Sequence, residues 1–171
     1  LAADSTWIRV EQDTFGTLLQ LGELAVTRTR EGLLRIQRKP VENSVTSSLK
    51  NLEIYTAPRQ QCVVELEDGT KIRMNAQSRL SYPLLKRDST VVYMKGEAYV
   101  DANKRHGSAP LIIGNEKGKV MANRADFLIR SDKNETKTML NDGKLEVYSN
   151  SLRFFHWAFI FFNKFYLILK N

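Results

Sequence analysis

Cysteine and histidine are scarce in this sequence. Its 171 residues include one cysteine, Cys62, and two histidines, His106 and His156. A single cysteine excludes an intrachain disulfide, and so few sulfur and nitrogen ligands argue against a zinc site. Cys62 stands in the apolar run Cys62-Val63-Val64, which is typical of a small buried hydrophobe and not of a nucleophile with a base beside it. We therefore expect no metal, no cofactor and no cysteine chemistry.

Runs of basic residues are also absent, although the chain is basic overall. Lys and Arg number 26 against 19 Asp and Glu, a net charge of +7. Such a charge permits contact with an acidic partner, an anionic lipid or nucleic acid. Because the cations are scattered and no recognition helix is readable, nucleic-acid binding is not expected. No basic segment followed by an apolar stretch stands at the start, so no signal peptide is predicted.

Composition divides the chain into three regions: a strand-rich lead-in over residues 1–50, a core over 51–150 and an aromatic tail over 151–171. In the lead-in, "LAVTRTREGLLRIQ" alternates apolar and polar residues on either side of a Glu-Gly turn, which predicts a β-hairpin. The core repeats short strands separated by turns. This pattern predicts an all-β fold, an antiparallel, jelly-roll-like β-sandwich preceded by the hairpin.

Three glycines mark backbone features within the core. Asp68-Gly69 predicts a hairpin turn of type I′, which needs positive φ at both central residues, and Asp142-Gly143 predicts a second turn. Gly96 lies inside the strand-like stretch "VVYMKGEAYVDA", where it indicates a bulge or a close backbone approach. The tail "SLRFFHWAFIFFNKFYLILKN" holds half of the chain's aromatic residues. A helix packed on the sandwich, a membrane-spanning helix and a frayed tail all remain open for it.

Polar residues near the turns have structural interpretations that compete with functional ones. Asp68 is expected to bond its own turn backbone, and Asn75 to cap the turn that follows. Glu97, beside apolar neighbours, is expected to pair with a Lys or Arg. Tyr82 and Tyr99 are amphipathic and suit the edge of the core.

Three ordered blocks of the core resemble the FecR family, named for the ferric citrate regulator. They are "EDGT", "NAQSRLSYP" and "GEAY", and they occur at the spacing of that family. The matching residues are Asp68, Gly69, Thr70, Asn75, Ala76, Ser78, Leu80, Tyr82, Pro83, Gly96, Glu97, Ala98 and Tyr99. Glu67 replaces the family's proline, Val100 its phenylalanine, and Arg124-Ala125 its later Gly-Thr pair. The resemblance is to members of the Bacteroidetes type, and it implies a chain truncated at both ends.

The resemblance implies a regulator and not an enzyme. Members of the family bind an extracytoplasmic-function sigma factor through a cytoplasmic segment and cross the inner membrane once. Their periplasmic region receives a signal from a TonB-dependent outer-membrane transporter. This chain would be that periplasmic region of an anti-sigma factor, with the sigma-binding segment and the membrane helix upstream. The resemblance names no partner-binding residues.

Two other functions are weighed against this one. A carbohydrate- or ligand-binding β-sandwich module would need aromatic side chains on one face, and the candidates are Trp7, Tyr55, Tyr93 and Tyr148. A glycosidase would need two facing carboxylates. The available acids are Glu65, Glu67, Asp68 and Glu97, which are ordinary residues for a sandwich of this kind.

Overall fold

Strands account for all the regular secondary structure of the described residues. The computed structural model describes residues 5–9, 15–38, 50–84, 89–116, 118–133, 135–149, 155–159 and 165–170. The strands, in chain order, are β1 Ser5–Arg9, β2 Gly16–Leu21, β3 Leu24–Arg28, β4 Leu33–Arg38, β5 Asn51–Tyr55, β6 Cys62–Glu65, β7 Lys71–Met74, β8 Arg79–Pro83, β9 Thr90–Asp101, β10 Leu111–Gly114, β11 Gly118–Ser131, β12 Glu135–Ser149, β13 Phe155–Phe159 and β14 Phe165–Lys170. Within these residues no helix is long and apolar enough to cross a membrane.

The strand pairings form two half-sheets that share three long strands. The first half-sheet has the order β1-β5-β8-β9-β10-β11-β12-β13, with the long strands contributing residues 90–95, 118–123 and 144–149. The second has the order β2-β3-β4-β6-β7-β9-β11-β12-β14, with residues 96–101, 126–131 and 135–142. Strands β9, β11 and β12 therefore pass from one half-sheet into the other.

The long strands change half-sheet at glycines and at a bulge. Gly96 of β9 has φ +97°, and a Cβ there would lie 2.7 Å from the Cα of Ser78. Gly143 of β12 has φ +91° and faces a bulge of β11 at Arg124, which has φ +51°. The prediction of a close backbone approach at Gly96 is thus confirmed. The turn predicted at Asp142-Gly143 is wrong, because both residues lie within β12. Gly143 has the positive φ that a hairpin turn needs, but here that backbone conformation faces the bulge of β11.

One hydrophobic core lies between the half-sheets. Along β6, β7, β8 and most of β11, buried side chains alternate with exposed or half-buried ones, so each half-sheet presents one apolar face inward. The buried row across the second half-sheet consists of Leu34, Val64, Ile72, Val100, Phe127 and Leu140. The matching row across the first consists of Ile8, Ile54, Leu80 and Met94. These rows belong to a single cluster, which fixes the position of the turns at its ends.

The predicted all-β sandwich is confirmed, with two differences in detail. The β3–β4 hairpin forms as predicted, and β2 extends it to three strands. The sheet is mixed and not purely antiparallel, because three pairings among the described strands are parallel: β1 with β5, β4 with β6, and β9 with β10. Each of these pairs is joined by a long connection, which local turn signals do not reveal.

The aromatic tail contributes strands where its residues are described. Residues 155–159 form β13 against β12, and residues 165–170 form β14 against the other end of β12. The helical interpretation of the tail does not hold for these two segments. Aromatic and β-branched residues favour strands, and β12 offers them a free edge. The other residues of the tail lie outside the described ranges.

Candidate functional site

The Asp68-Gly69 turn joins β6 to β7 and carries the first of the three sequence blocks. The amide of Gly69 donates to the carbonyl of Leu66 (3.0 Å), and the amide of Leu66 donates to the carbonyl of Thr70 (2.9 Å). Only Gly69 has a positive φ, +84°. The predicted type I′ turn is therefore wrong, because a three-residue loop with glycine at its last position replaces the two-residue loop. The side chain of Asp68 bonds its own turn as expected, accepting from the Thr70 amide at 2.9 Å.

Asp68 also forms a buried ion pair that the sequence did not indicate. Its Oδ2 accepts from Arg105 Nη2 (2.9 Å) and Nε (3.1 Å), and from the hydroxyl of Thr90 (2.7 Å). The side chain of Arg105 is 2% exposed and that of Asp68 10%. Arg105 donates further to the carbonyl of Ala109, and the amide of His106 donates to the carbonyl of Asp68. The loop after β9 is thus attached to the turn after β6.

These contacts lower the pKa of Asp68. Burial by itself would raise the pKa of the carboxyl group. The hydrogen bonds from Thr70, Thr90 and Arg105 stabilise the carboxylate and outweigh burial, so the pKa lies below its usual value. The carboxylate therefore stays charged and keeps its hydrogen-bond partners, which suits a structural anchor and not a general acid.

The carboxylate of the neighbouring Glu67 also has side-chain partners. Its Oε1 lies 3.0 Å from Arg38 Nε and accepts from the hydroxyl of Tyr82 at 2.7 Å. Burial and this hydrogen bond to a carboxylate raise the pKa of the Tyr82 hydroxyl. A cleft of about 330 Å³ lies beside this group, with Arg38, Tyr82 and His106 in its wall.

The two remaining acids considered for a glycosidase are occupied in the same way. Glu65 lies 3.4 Å from Arg35, and Glu97 Oε1 accepts from the side-chain amide of Asn75 at 2.9 Å. Each of the four acids considered for a glycosidase thus has a side-chain partner. Among the described residues, no group of three His, Cys, Asp or Glu side chains is placed to hold a metal ion.

The second and third blocks meet at Gly96. Ser78 Oγ accepts from the amide of Glu97 (3.0 Å) and lies 3.1 Å from the Glu97 carbonyl. The amide of Asn75 donates to the same carbonyl at 2.8 Å. Thr56, which sequence reasoning missed, donates to the carbonyl of Asn75 and accepts from the amide of Ser78. The side chain of Glu97 accepts from the side-chain amide of Asn75, which the turn places within reach, and the described residues show no ion pair for it.

The other block residues lie in the core or at its edge. Leu80 is 0% and Ala98 1% exposed, and Thr70 is fully buried. Tyr99 is half-buried, and its hydroxyl donates to Asp126 at 2.7 Å; burial and this bond raise the pKa of Tyr99 to about 12. Pro83 ends β8. The three blocks thus come together as turn anchors and core contacts.

Cys62 is buried as predicted, 4% exposed and 3.8 Å from the sulfur of Met74. Burial raises the pKa of its thiol to about 12. We expect no alkylation by iodoacetamide of the native protein at about pH 8, and complete alkylation after unfolding in guanidinium chloride, because the thiolate is the reactive species. Mass spectrometry of the intact chain measures both. Labelling of the native chain at the rate of a free thiol would contradict this burial.

The four aromatic residues considered for ligand binding share the outward face of the first half-sheet. The strand register places Trp7, Tyr93 and Tyr148 in one row across the strands. Tyr55 lies in the adjacent row, opposite Arg79. Trp7 is 58% and Tyr93 49% exposed. Arg79 covers the ring of Tyr55, and Lys119 that of Tyr148.

Comparison with known proteins agrees with this all-β fold. The family model described as "FecR protein" matches residues 53–146, just over half of the chain. The chain belongs to the FecR family. No curated protein matches the chain.

Two solved structures share the fold. Both are candidate anti-sigma factors from Parabacteroides distasonis ATCC 8503, solved at 2.50 and 1.65 Å. They are 22% and 23% identical to this chain, with TM-scores of 0.57 and 0.55, over 71% and 70% of its length. The chain spans 55% of the length of each of them.

Proposed function

We propose that this chain is the signal-receiving domain of a sigma-factor regulator and acts by binding and not by catalysis. The observation that carries the proposal is the match of the FecR family model over residues 53–146. The occupied carboxylates support it further, because Asp68, Glu67 and Glu97 hold turns and loops in place. A rigid scaffold with a shared core and anchored turns suits a domain that presents a surface to another protein.

The proposal includes the layout of the pathway. The domain lies on the periplasmic side of the inner membrane, and a segment outside these 171 residues crosses the membrane and holds an extracytoplasmic-function sigma factor. The signal arrives from a TonB-dependent outer-membrane transporter. The fold of the two anti-sigma candidates supports a regulator of this class.

Calorimetry between purified domains tests the proposal. The 171-residue chain is titrated with the periplasmic signalling domain of the TonB-dependent transporter whose gene neighbours its own. We expect saturable binding with one site, and no heat with an unrelated periplasmic domain of similar charge as the control. Absence of a complex at concentrations of about 100 μM, well above the dissociation constants of ordinary signalling complexes, would contradict the proposal.

A further inference from the structure

We infer that the outward face of the first half-sheet is the docking surface for an acidic protein partner; this rests on the proposed function. We call it the aromatic face and define it by the side chains that share it: Trp7, Tyr55, Arg79, Tyr93, Lys95, Lys119 and Tyr148. Along each strand these residues alternate with residues of the buried core row, so their side chains point away from the core.

The exposed aromatic side chains are the first observation. Large apolar residues are normally covered, yet Trp7 is 58% and Tyr93 49% exposed on the same face. A shallow cleft of about 300 Å³ lies between Trp7 and Tyr55, with Thr56 and Ala57 in its wall. Trp, Tyr and Arg are the residues that most often dominate the binding energy of protein interfaces. The aromatic face combines all three.

Charge is the second observation, and it defines the partner. Among the described residues that define this face, the charged side chains are cations: Arg79, Lys95 and Lys119. The acids beside them are covered: Glu53 is 2% exposed and pairs with Arg79 at 2.8 Å. Glu146 is half-buried and accepts from the hydroxyl of Tyr148. A complementary surface therefore presents carboxylates around an apolar patch that receives Trp7.

The arrangement fits a folded protein better than a single sugar ring or a single base. Arg79 and Lys119 already cover the rings of Tyr55 and Tyr148, which leaves Trp7 and Tyr93 for stacking. These two are separated by three strand spacings, about 14 Å. A single sugar ring or base does not span that distance, whereas a protein surface of standard size does.

Surface variants in the calorimetric titration test this inference. We expect Trp7→Ala and Tyr93→Ala each to weaken binding of the transporter signalling domain about tenfold or more, as interface aromatics do. Lys95→Glu should weaken it similarly and reduce its dependence on salt. The matched controls are Phe15→Ala, an aromatic that is 68% exposed elsewhere, and Lys71→Glu, an exposed cation of the second half-sheet. Both controls should bind within about twofold of the wild type.

The outcomes separate the two proposals. Binding by the wild type that the Trp7, Tyr93 and Lys95 variants retain overturns the docking surface and leaves the proposed function standing. No binding by the wild type overturns the proposed function, and the docking surface with it. Calorimetric titration with alginate and with oligo(dT) completes the test. Tight binding of either polyanion that Trp7→Ala abolishes would assign the face to a polymer and overturn the protein partner.

Discussion

Replacing Gly96 by alanine is expected to destabilise the protein by about 2–5 kcal/mol, the sum of two costs. At φ +97°, an L-residue loses roughly 1–2 kcal/mol relative to glycine. The new Cβ would also lie 2.7 Å from the Cα of Ser78, closer than real Cβ atoms come to their neighbours. Because that neighbour is backbone, relief requires β8 and β9 to move apart, and overpacking of this kind costs roughly 1–3 kcal/mol. Thermal unfolding should show a melting temperature lower by roughly 4–20 °C.

Gly107→Ala is the matched control for this experiment. Gly107 has φ +94°, and no heavy atom lies within 4 Å of the position that a Cβ would take. The control variant therefore has the backbone cost without the clash, and its loss should remain about 1–2 kcal/mol. Equal losses for the two variants would mean that Ser78 does not pack against Gly96 as described.

Asp68→Asn is expected to destabilise the protein by about 3–5 kcal/mol, because it leaves the charge of Arg105 buried and unpaired. Arg105→Met should destabilise the protein by a comparable amount, since it leaves the Asp68 carboxylate buried without its cation. In the double variant the two losses should not add, because no charge remains in the site. Denaturant unfolding of all four proteins yields the coupling free energy. Additive losses would show that the two side chains do not depend on each other.

The Arg35–Glu65 pair is the control for this cycle. Its side chains are 39% and 21% exposed, and its atoms lie 3.4 Å apart. Exposed pairs of this kind contribute about 0–1 kcal/mol, so Glu65→Gln should have a small effect. The comparison shows whether the loss of stability at Asp68–Arg105 comes from the burial of that pair or from ion pairing as such.

The Asp68 pair also predicts a dependence of stability on pH. The pKa of Asp68 is lower in the folded state than its usual value, so folding favours the ionised form. This contribution is fully present above the unfolded pKa of about 4 and is lost as the pH falls through the folded pKa. The wild type should therefore lose stability in acid relative to Asp68→Asn. Equal slopes of unfolding free energy against pH in the two proteins would contradict the lowered pKa.

Local chemistry allowed much of the fold to be predicted. Alternation of apolar and polar residues predicted the strands of "LAVTRTREGLLRIQ" and "KIRM", and Gly32 marked the hairpin between β3 and β4. The position of the turn at Asp68-Gly69 was also correct. Its type was not, because one Asp-Gly pair serves a two-residue loop, a three-residue loop or, at Asp142-Gly143, a strand facing a bulge.

The candidate site was predictable only in part. Asp68, Asn75 and Glu97 stood out as polar residues next to turns, and Asp68 does bond its own turn. Arg105 and Thr56, which complete the two anchors, carried no signal, since each acts on a residue more than 18 positions away. Their roles follow from which turns the core brings together.

By itself the sequence determined the strands of the core and the resemblance to FecR proteins. A strand depends on residues a few positions apart, and the resemblance depends on three short blocks that follow one another in order along the chain. Only the tertiary structure decided the pairing of Arg105 with Asp68 and the alignment of Trp7, Tyr93 and Tyr148 on one face. Strand order and register connect residues far apart in the chain, and these depend on how two apolar faces pack and not on any local pattern.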